Sequence, residues 1–311
     1  MMQVLEPGPQ TTVQDAGRFG QLRFGIPPSG AIDRFAFVVA NRLVGNREDA
    51  AVLECTLVGP TLVFESACTV AVTGAEMPVR RNGAEASRWA TLRVQPGDVL
   101  KLGTARAGLR AYIAVSGGID VPPVLGSRST YLRGKLGGLS GRALQKADRL
   151  GVLPGAEVRA WRLALRALPT YPAEVSVRVV LGPQHERFTA EGIEQFLLGT
   201  YVMLPQSDRM GARLSGPRIG HARGHDIVSD GIALGAVQVP GDGQPIVLLN
   251  DRQSTGGYTK AATVCSFDIG RVGQLRPGQR LHFEAVTIGE AHAMLRASAH
   301  AMAQLPQEAI E

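Results

Sequence analysis

Six short apolar or alternating runs follow one another between residues 51 and 118: AVLECTLV, PTLVF, CTVAVTG, WATLRV, DVLKLG and LRAYIAVSGG. Turn residues separate them at intervals of roughly ten, the spacing of strands in a β-barrel or sandwich. Runs this short cannot form long helices, and alternation with period two buries one face of a strand. The chain carries 38 glycines and only 5% aromatic residues, which suits many turns and bulges. These features predict a mainly β fold with a few helices.

Three helices are expected. In AIDRFAFVVANRLV, 31–44, apolar groups at 32, 35, 36, 39, 40 and 43 repeat with a helical period. Asp33 sits in the first turn, where a carboxylate suits the helix dipole, and Gly45 can take the left-handed cap. A short helix is expected at 190–198 with Thr189 as N-cap and Gly199 past its end. A last helix opens on T-I-G-E, 287–290, a capping-box pattern of Thr287 and Glu290, and runs to about Gln304.

The segment LALRALPTYPAEVSV, 163–177, reads as a connector, with two prolines flanking a tyrosine. It divides the chain into an N-terminal β half, 1–168, and a C-terminal β half with the terminal helix, 169–311. QPGDVLKLG, 95–103, and RPGQRLHFE, 276–284, both read x-Pro-Gly-x-x-Leu before an alternating strand. Two related barrels in tandem explain this echo; so does recurrence of a common turn.

Composition narrows the function. A chain of 311 residues with 44% apolar and 19% charged residues fits a globular protein with a substantial core. No apolar run approaches about 18 residues, so no membrane helix is expected. The opening MMQVLEPGPQTTVQD has no secretory pattern. Cys55, Cys68 and Cys265 have no metal-ligand spacing and point to reduced thiols in a cytoplasmic protein. The formal charge of +6 is spread singly along the chain, so attraction to an acidic metabolite or partner is favoured over nucleic acid. RGKLGGLSGR, 133–142, matches no phosphate-binding glycine motif, and no nucleotide loop is found.

Four polar, glycine-punctuated clusters carry candidate chemistry. QDAGRFGQLRFGIPPSGAID, 14–33, holds Gln14, Asp15, Arg18 and Ser29 before the first helix; arginine forks and helix-start N–H groups favour anions. A structural loop in which Asp15 pairs with Arg18 explains the same residues. SDRMGARLSG, 207–216, brings Asp208, Arg209 and Arg213, or is a surface turn with a salt bridge. HARGHDIVSDG, 221–231, places His221 four residues from His225, but glycines at 220 and 224 argue against a helix, so a pocket contact by His221 is preferred to a metal site. QVPGDGQPIVLLNDRQSTGGYTK, 238–260, supplies Gln238, Gln244, Asp251, Gln253, Tyr258 and Lys260 on both sides of one apolar strand. The glutamines suit an amide or ureido group. Lys260 suits a carbonyl or carboxylate. Asp251 is either a proton acceptor or a partner of Arg252 or Lys260. No Ser-His-Asp or Cys-His arrangement is recognisable.

Read together, TVQDAGRFGQLRFGIPPSGAIDRFAFVVANRLVGNREDAAVLECTLVGPTLVF, GGLSGRALQKADRL, SDRMGARLSGP and DIVSDGIALGAVQVPGDGQPIVLLNDRQSTGGYTKAATV closely resemble the biotin-dependent carboxyltransferase-like family. That family includes the C-type component of 5-oxoprolinase, KipA and allophanate hydrolase subunit 2. The resemblance covers roughly residues 3–286. It departs at Ser254, Thr259 and Ala147, where members often carry threonine, proline and glycine. The resemblance implies a cyclophilin-like β-barrel architecture, duplicated in tandem. It implies work beside a KipI-like B-type component and an A-type component of 5-oxoprolinase. Together these would open 5-oxoproline to glutamate in an ATP-dependent reaction, with ATP handled by a partner. In that role Arg18, Arg209 or Arg213 would hold the substrate carboxylate and the glutamines the lactam amide; Asp15 or Asp251 would accept a proton, and Lys260 would stabilise negative charge. The family also admits carboxyl transfer from carboxybiotin to urea or a similar amide, with biotin carried by another protein. A third role is non-catalytic binding of a kinase inhibitor. No cofactor is expected on this chain itself.

Overall fold

The computed structural model describes residues 1–156 and 158–310. They form two compact units: Met1–Gly20, Pro28–Thr170 and Leu305–Glu311 make the first, and Gln21–Pro27 with Tyr171–Gln304 the second. The main break falls at 170/171. The expected halves placed 305–311 in the second half; the structure groups them with the first because residues Gln307–Ala309 pair with Trp161–Leu163.

In chain order the first unit contains β1 (Met2–Glu6), β2 (Gln10–Gln14), α1 (Arg34–Leu43), β3 (Val52–Thr56), β4 (Thr61–Phe64), β5 (Cys68–Gly74), β6 (Val79–Arg81), β7 (Ala84–Glu85), β8 (Thr91–Val94), β9 (Val99–Leu102), β10 (Arg110–Val115), β11 (Ile119–Asp120), β12 (Arg149–Val152) and β13 (Trp161–Leu163). One sheet runs β11-β12-β1-β4-β9-β6-β7 and the other β2-β3-β10-β5-β8. A single core joins them: Met2, Val4, Leu62 and Leu100 from one sheet meet Val13, Leu53, Val70 and Ile113 from the other. β10 is central in its sheet and buried along its whole length, which explains the apolar run Ala111–Val115 that follows Arg110. The first unit is therefore a pair of sheets around one core rather than a closed barrel.

Helix α1 starts where Asp33, the N-cap, accepts a hydrogen bond from the Ala36 N–H at 3.0 Å. Gly45 follows at φ +71°. A buried network fixes the start of this helix: Tyr112 donates its hydroxyl to Glu54 at 2.8 Å, and the N–H groups of Ile32 and Asp33 donate to Glu54 and to the Tyr112 oxygen. Burial, then the Glu54 and Asp33 charges, push the Tyr112 phenol well above its ordinary pKa.

The second unit contains β14 (Glu174–Leu181), α2 (Ala190–Leu198), β15 (Tyr201–Met203), β16 (Gly211–Ser215), β17 (Asp226–Gly231), β18 (Ala236–Gln238), β19 (Ile246–Leu248), β20 (Thr255–Tyr258), β21 (Lys260–Val264), α3 (Ile269–Gln274), β22 (Arg280–Ala285) and α4 (Ile288–Ala303). Seven strands close a barrel in the order β14-β21-β18-β19-β16-β15-β22. The closing pair, β14 with β22, is parallel, and the other pairs are antiparallel. Phe196 of α2 stacks on Phe283 of β22 at 4.4 Å, with Tyr201 of β15 beside them. Thr189 caps α2 on the Gly192 N–H, and Thr287 with Glu290 forms the expected capping box on α4. No residue of α4 is buried. Strands β17 and β20 pair only with each other, outside the barrel.

The sequence echo is a repeated turn. Gly97 and Gly278 take φ +88° and +86°. In each turn the fourth residue's N–H donates to the first residue's carbonyl at 3.0 Å: Asp98 to Gln95, and Gln279 to Arg276. In each, the fourth side chain accepts from the first N–H, at 2.9 Å for Asp98 and 2.8 Å for Gln279. Both turns then feed a strand, β9 in the first unit and β22 in the second.

Candidate functional site

Gln14, Asp15, Arg18 and Ser29 lie in the first unit, where they hold loops together. The Gln14 amide donates to Thr12 Oγ1 and the Thr130 carbonyl, and its oxygen accepts from the Gly30 N–H, all between 3.0 and 3.1 Å. Asp15 does not pair with Arg18. Its Oδ1 accepts from Gly17 N–H, Ser127 Oγ and Ser129 Oγ, and its Oδ2 from Arg128 N–H at 2.6 Å. A carboxylate with four donors on it is a loop organiser, with little lone-pair capacity left for a substrate proton. Arg18, 1% exposed, donates to the carbonyls of Val124 and Ser129. Ser29 takes φ +54° in the same framework. Gly30 is required there: a Cβ would lie 3.0 Å from the Gly17 backbone.

In the second unit Arg209 and Asp251 form a bidentate buried pair. Nε lies 3.0 Å from Oδ2 and Nη2 3.1 Å from Oδ1, with side chains only 4% and 6% exposed. Asp251 therefore pairs with Arg209, not with Arg252 or Lys260. Arg252 instead donates to the carbonyls of Ile232 and Leu249, and burial pushes its guanidinium pKa down. Asp208 closes its own turn on the N–H groups of Met210 and Gly211. Gln244 exchanges hydrogen bonds with the Gly216 backbone, and Arg213 points outward from β16.

His221 Nε2 lies 3.1 Å from the Val239 carbonyl, and partial burial pushes its pKa down. His225 pairs with Asp226 at 3.2 Å, and its ring lies 6.4 Å from Tyr258. The two histidines are not on a helix, and no cluster of metal-ligating side chains occurs among the described residues.

Three predicted residues do come together. Gln238 and Lys260 are cross-strand partners of β18 and β21, and Gln253 donates from Nε2 to Gln238 Oε1 at 3.4 Å. Gln238 is 2% exposed, and its Nε2 has no acceptor in the protein. An unsatisfied buried amide costs about 1–3 kcal/mol, so this donor stands out. Gly256 of β20 lies against it: a Cβ there would fall 2.7 Å from Gln238 Nε2 and 3.5 Å from Gln253 Nε2. Lys260 is also 2% exposed, and its Nζ meets the largely exposed Asp230 at 3.3 Å. The Gly231 N–H, then Lys260, hold the Asp230 carboxyl below its usual range. Gln184 completes the group by accepting the Lys260 backbone N–H at 3.1 Å. Sequence reasoning did not single out Asp230 and Gln184; Asp230 sat in the quoted stretch HARGHDIVSDG, while Gln184 had no signal at all.

The site is thus two convergent amides and a buried ammonium under a glycine-containing ribbon, a donor set for a carbonyl or ureido oxygen. A family model described as carboxyltransferase domain, subdomain A and B, matches residues 24–285. The chain belongs to that family. The C-type component of 5-oxoprolinase from Escherichia coli (strain K12) is 38% identical over 300 residues, covering 94% of this chain and 93% of that protein. The urea amidolyase of Lachancea kluyveri is 35% identical, covering 92% of this chain but 17% of that protein. Among solved structures, the K. lactis urea amidolyase superposes with TM-score 0.93 at 34% identity. That match covers 97% of this carboxyltransferase-family chain, which spans about a fifth of the urea amidolyase. These relatives are enzymes or enzyme components by name. Among the described residues, no helix is long and apolar enough to cross a membrane.

Proposed function

We propose that this chain is the C-type component of a 5-oxoprolinase. It works with a KipI-like B-type component and an A-type component to open 5-oxoproline to L-glutamate, with ATP handled on a partner. The observation that carries the reading is the Gln238–Gln253–Lys260 group: a buried amide N–H with no protein acceptor, on a residue whose cross-strand partner is the buried Lys260. A lactam presents one carbonyl oxygen and one N–H. Gln238 Nε2 is the donor for the carbonyl oxygen, and a glutamine carbonyl is the acceptor for the N–H. Lys260 supplies the positive charge that stabilises the oxyanion formed when water adds to the lactam carbon. The C–N bond then breaks and the ring nitrogen takes a proton. The 38% identity along 93% of the E. coli C-type component supports assigning this substrate class. Because Gln238 Nε2 is sealed beneath Gly256, substrate access requires the β17–β20 ribbon to lift and Asp230 to release Lys260.

The backbone match to the K. lactis urea amidolyase favours one alternative, carboxyl transfer to urea or a similar amide. The same orphaned amide donor suits the ureido oxygen of a biotin brought by another protein, with Gln238, Gln253 and Lys260 holding it. Carboxybiotin would supply the carboxyl group in that reaction.

Reconstitution separates the readings. Glutamate formation from 5-oxoproline and ATP is measured with the A-type and B-type components, with and without this chain. Activity is expected only with all three, and Lys260→Met is expected to lower kcat about 100-fold or more while the melting curve stays cooperative. Full activity of the other two components alone refutes the catalytic role. Avidin-sensitive urea consumption without 5-oxoproline turnover moves the assignment to carboxyl transfer.

A further inference from the structure

The first unit contains a cavity of about 510 Å³ that the reading above does not use. Loops meet around it from four places: Asp15–Gly17, the segment after α1 that includes Asn46 and Asp49, the turn Gly117–Gly118 after β10, and Gly126 to Arg128. Leu153–Ala156 close the remaining side. All of these residues belong to the first unit.

Its wall is largely bare backbone and small apolar side chains. Gly117 and Gly118 take φ +89° and +84°, and a Cβ on Gly126 would meet nothing within 4 Å. Ala16, Ala50, Ala51 and Pro154 offer apolar surface to the body of a small organic molecule.

The charges are unequal in availability. Asp15 is turned to Gly17, Ser127, Ser129 and Arg128 by four hydrogen bonds. Asp49 is paired with the exposed Arg47 at 2.9 Å. Arg128 is different. Its backbone N–H donates to Asp15, its carbonyl accepts from Gly138 N–H, and its Nε donates to the Val121 carbonyl at 2.9 Å. The first two hold its backbone, and the third holds the guanidinium. Its Nη1 and Nη2 make no hydrogen bond or ion pair to any described residue. A half-buried arginine held at Nε presents two parallel N–H donors, the fork that fits a planar oxyanion.

We propose that this cavity is a second binding site, which takes a small organic anion with a carboxylate or phosphate group on Arg128 Nη1 and Nη2 and its carbon body against Ala16, Ala50 and Pro154. The site is independent of the Gln238–Lys260 group and stands whichever reaction that group serves.

Calorimetric titration of the full chain at low salt tests it. The probes are succinate, its neutral diamide succinamide, and inorganic phosphate. Two variants are compared with the unaltered chain. Arg128→Gln removes the fork, and Ala16→Trp fills the exposed rim while leaving Arg128 in place. One saturable site is expected for succinate or phosphate and none for succinamide. Loss of the charged fork is expected to weaken binding by about tenfold to a hundredfold in Arg128→Gln, and Ala16→Trp is expected to weaken it as well. Succinate without phosphate identifies a carboxylate ligand; the reverse identifies a phosphate ester. Absence of saturable binding of both anions overturns the proposal. Equal binding of succinamide does so too, as does unchanged affinity in either variant. If Arg128→Gln fails to fold, Ala16→Trp alone decides.

Discussion

Replacing Asp251 by asparagine separates a structural carboxylate from a chemical one. Asp251 and Arg209 are each almost fully buried and meet at 3.0 and 3.1 Å. Unit charges about 3 Å apart interact by roughly 5 kcal/mol at an effective dielectric near 20. Removing one member leaves the other's desolvation uncompensated, and such changes cost about 3–5 kcal/mol. Asparagine keeps one oxygen acceptor, so the lower end, about 3 kcal/mol, is expected for Asp251→Asn. At an m-value of about 2 kcal/mol/M, that moves a urea midpoint down by about 1.5 M. Unfolding followed by far-UV circular dichroism reads the shift. Both tryptophans, Trp89 and Trp161, lie in the first unit, so their fluorescence reads that unit alone. Hydrogen exchange at the Asp251 amide, which donates to the Arg209 carbonyl at 2.9 Å, reads the site directly. The double replacement Arg209→Met with Asp251→Leu is expected to recover most of the loss, because no charge is then left buried. A loss below about 1 kcal/mol for Asp251→Asn, together with abolished activity, would refute the structural assignment and return Asp251 to the chemistry.

Three further outcomes are expected. Gly30→Ala places a methyl 3.0 Å from the Gly17 backbone at a φ of +86° and is expected to cost about 1–3 kcal/mol; an unchanged melting temperature shows that the loop relaxes around it. Thr287→Ala removes the capping box of a helix with no buried residue, so a loss of about 1 kcal/mol is expected as faster amide exchange in the first turn of α4. The Tyr112 phenol is raised by burial and by Glu54 and Asp33. Its stabilising contribution is complete below the unfolded value near 10 and is lost as pH rises from there toward the folded value. Melting temperatures between pH 8 and 11 are expected to fall more steeply in the unaltered chain than in Tyr112→Phe.

Local signals were legible wherever a few neighbouring residues decide the geometry. Thr189 and Thr287 cap their helices as their positions predict, whereas Asp33, expected inside the first turn, is itself the N-cap of a helix that starts at Arg34. The two Pro-Gly turns share one hydrogen-bond pattern because the turn is closed by residues only three apart. The candidate site was half legible. Gln238, Gln253 and Lys260 stand close in sequence on a turn-rich segment, and they meet. Asp251 was read as a proton acceptor or a neighbour's partner, yet its arginine lies 42 residues away. Asp15 was read as a base, yet Ser127 and Ser129 occupy it from more than 110 residues along the chain.

From the residues alone came the strand-and-turn spacing, the helix ends, the glycine positions and the family motifs, all set by short-range sterics and hydrogen bonding. Tertiary structure alone decided that one unit closes a barrel while the other packs two sheets around a core, and which buried charges find partners. Burial removes water from every polar group at once, so a carboxylate or amide acquires its role from whichever distant donor folding brings within 3 Å, or from the lack of one.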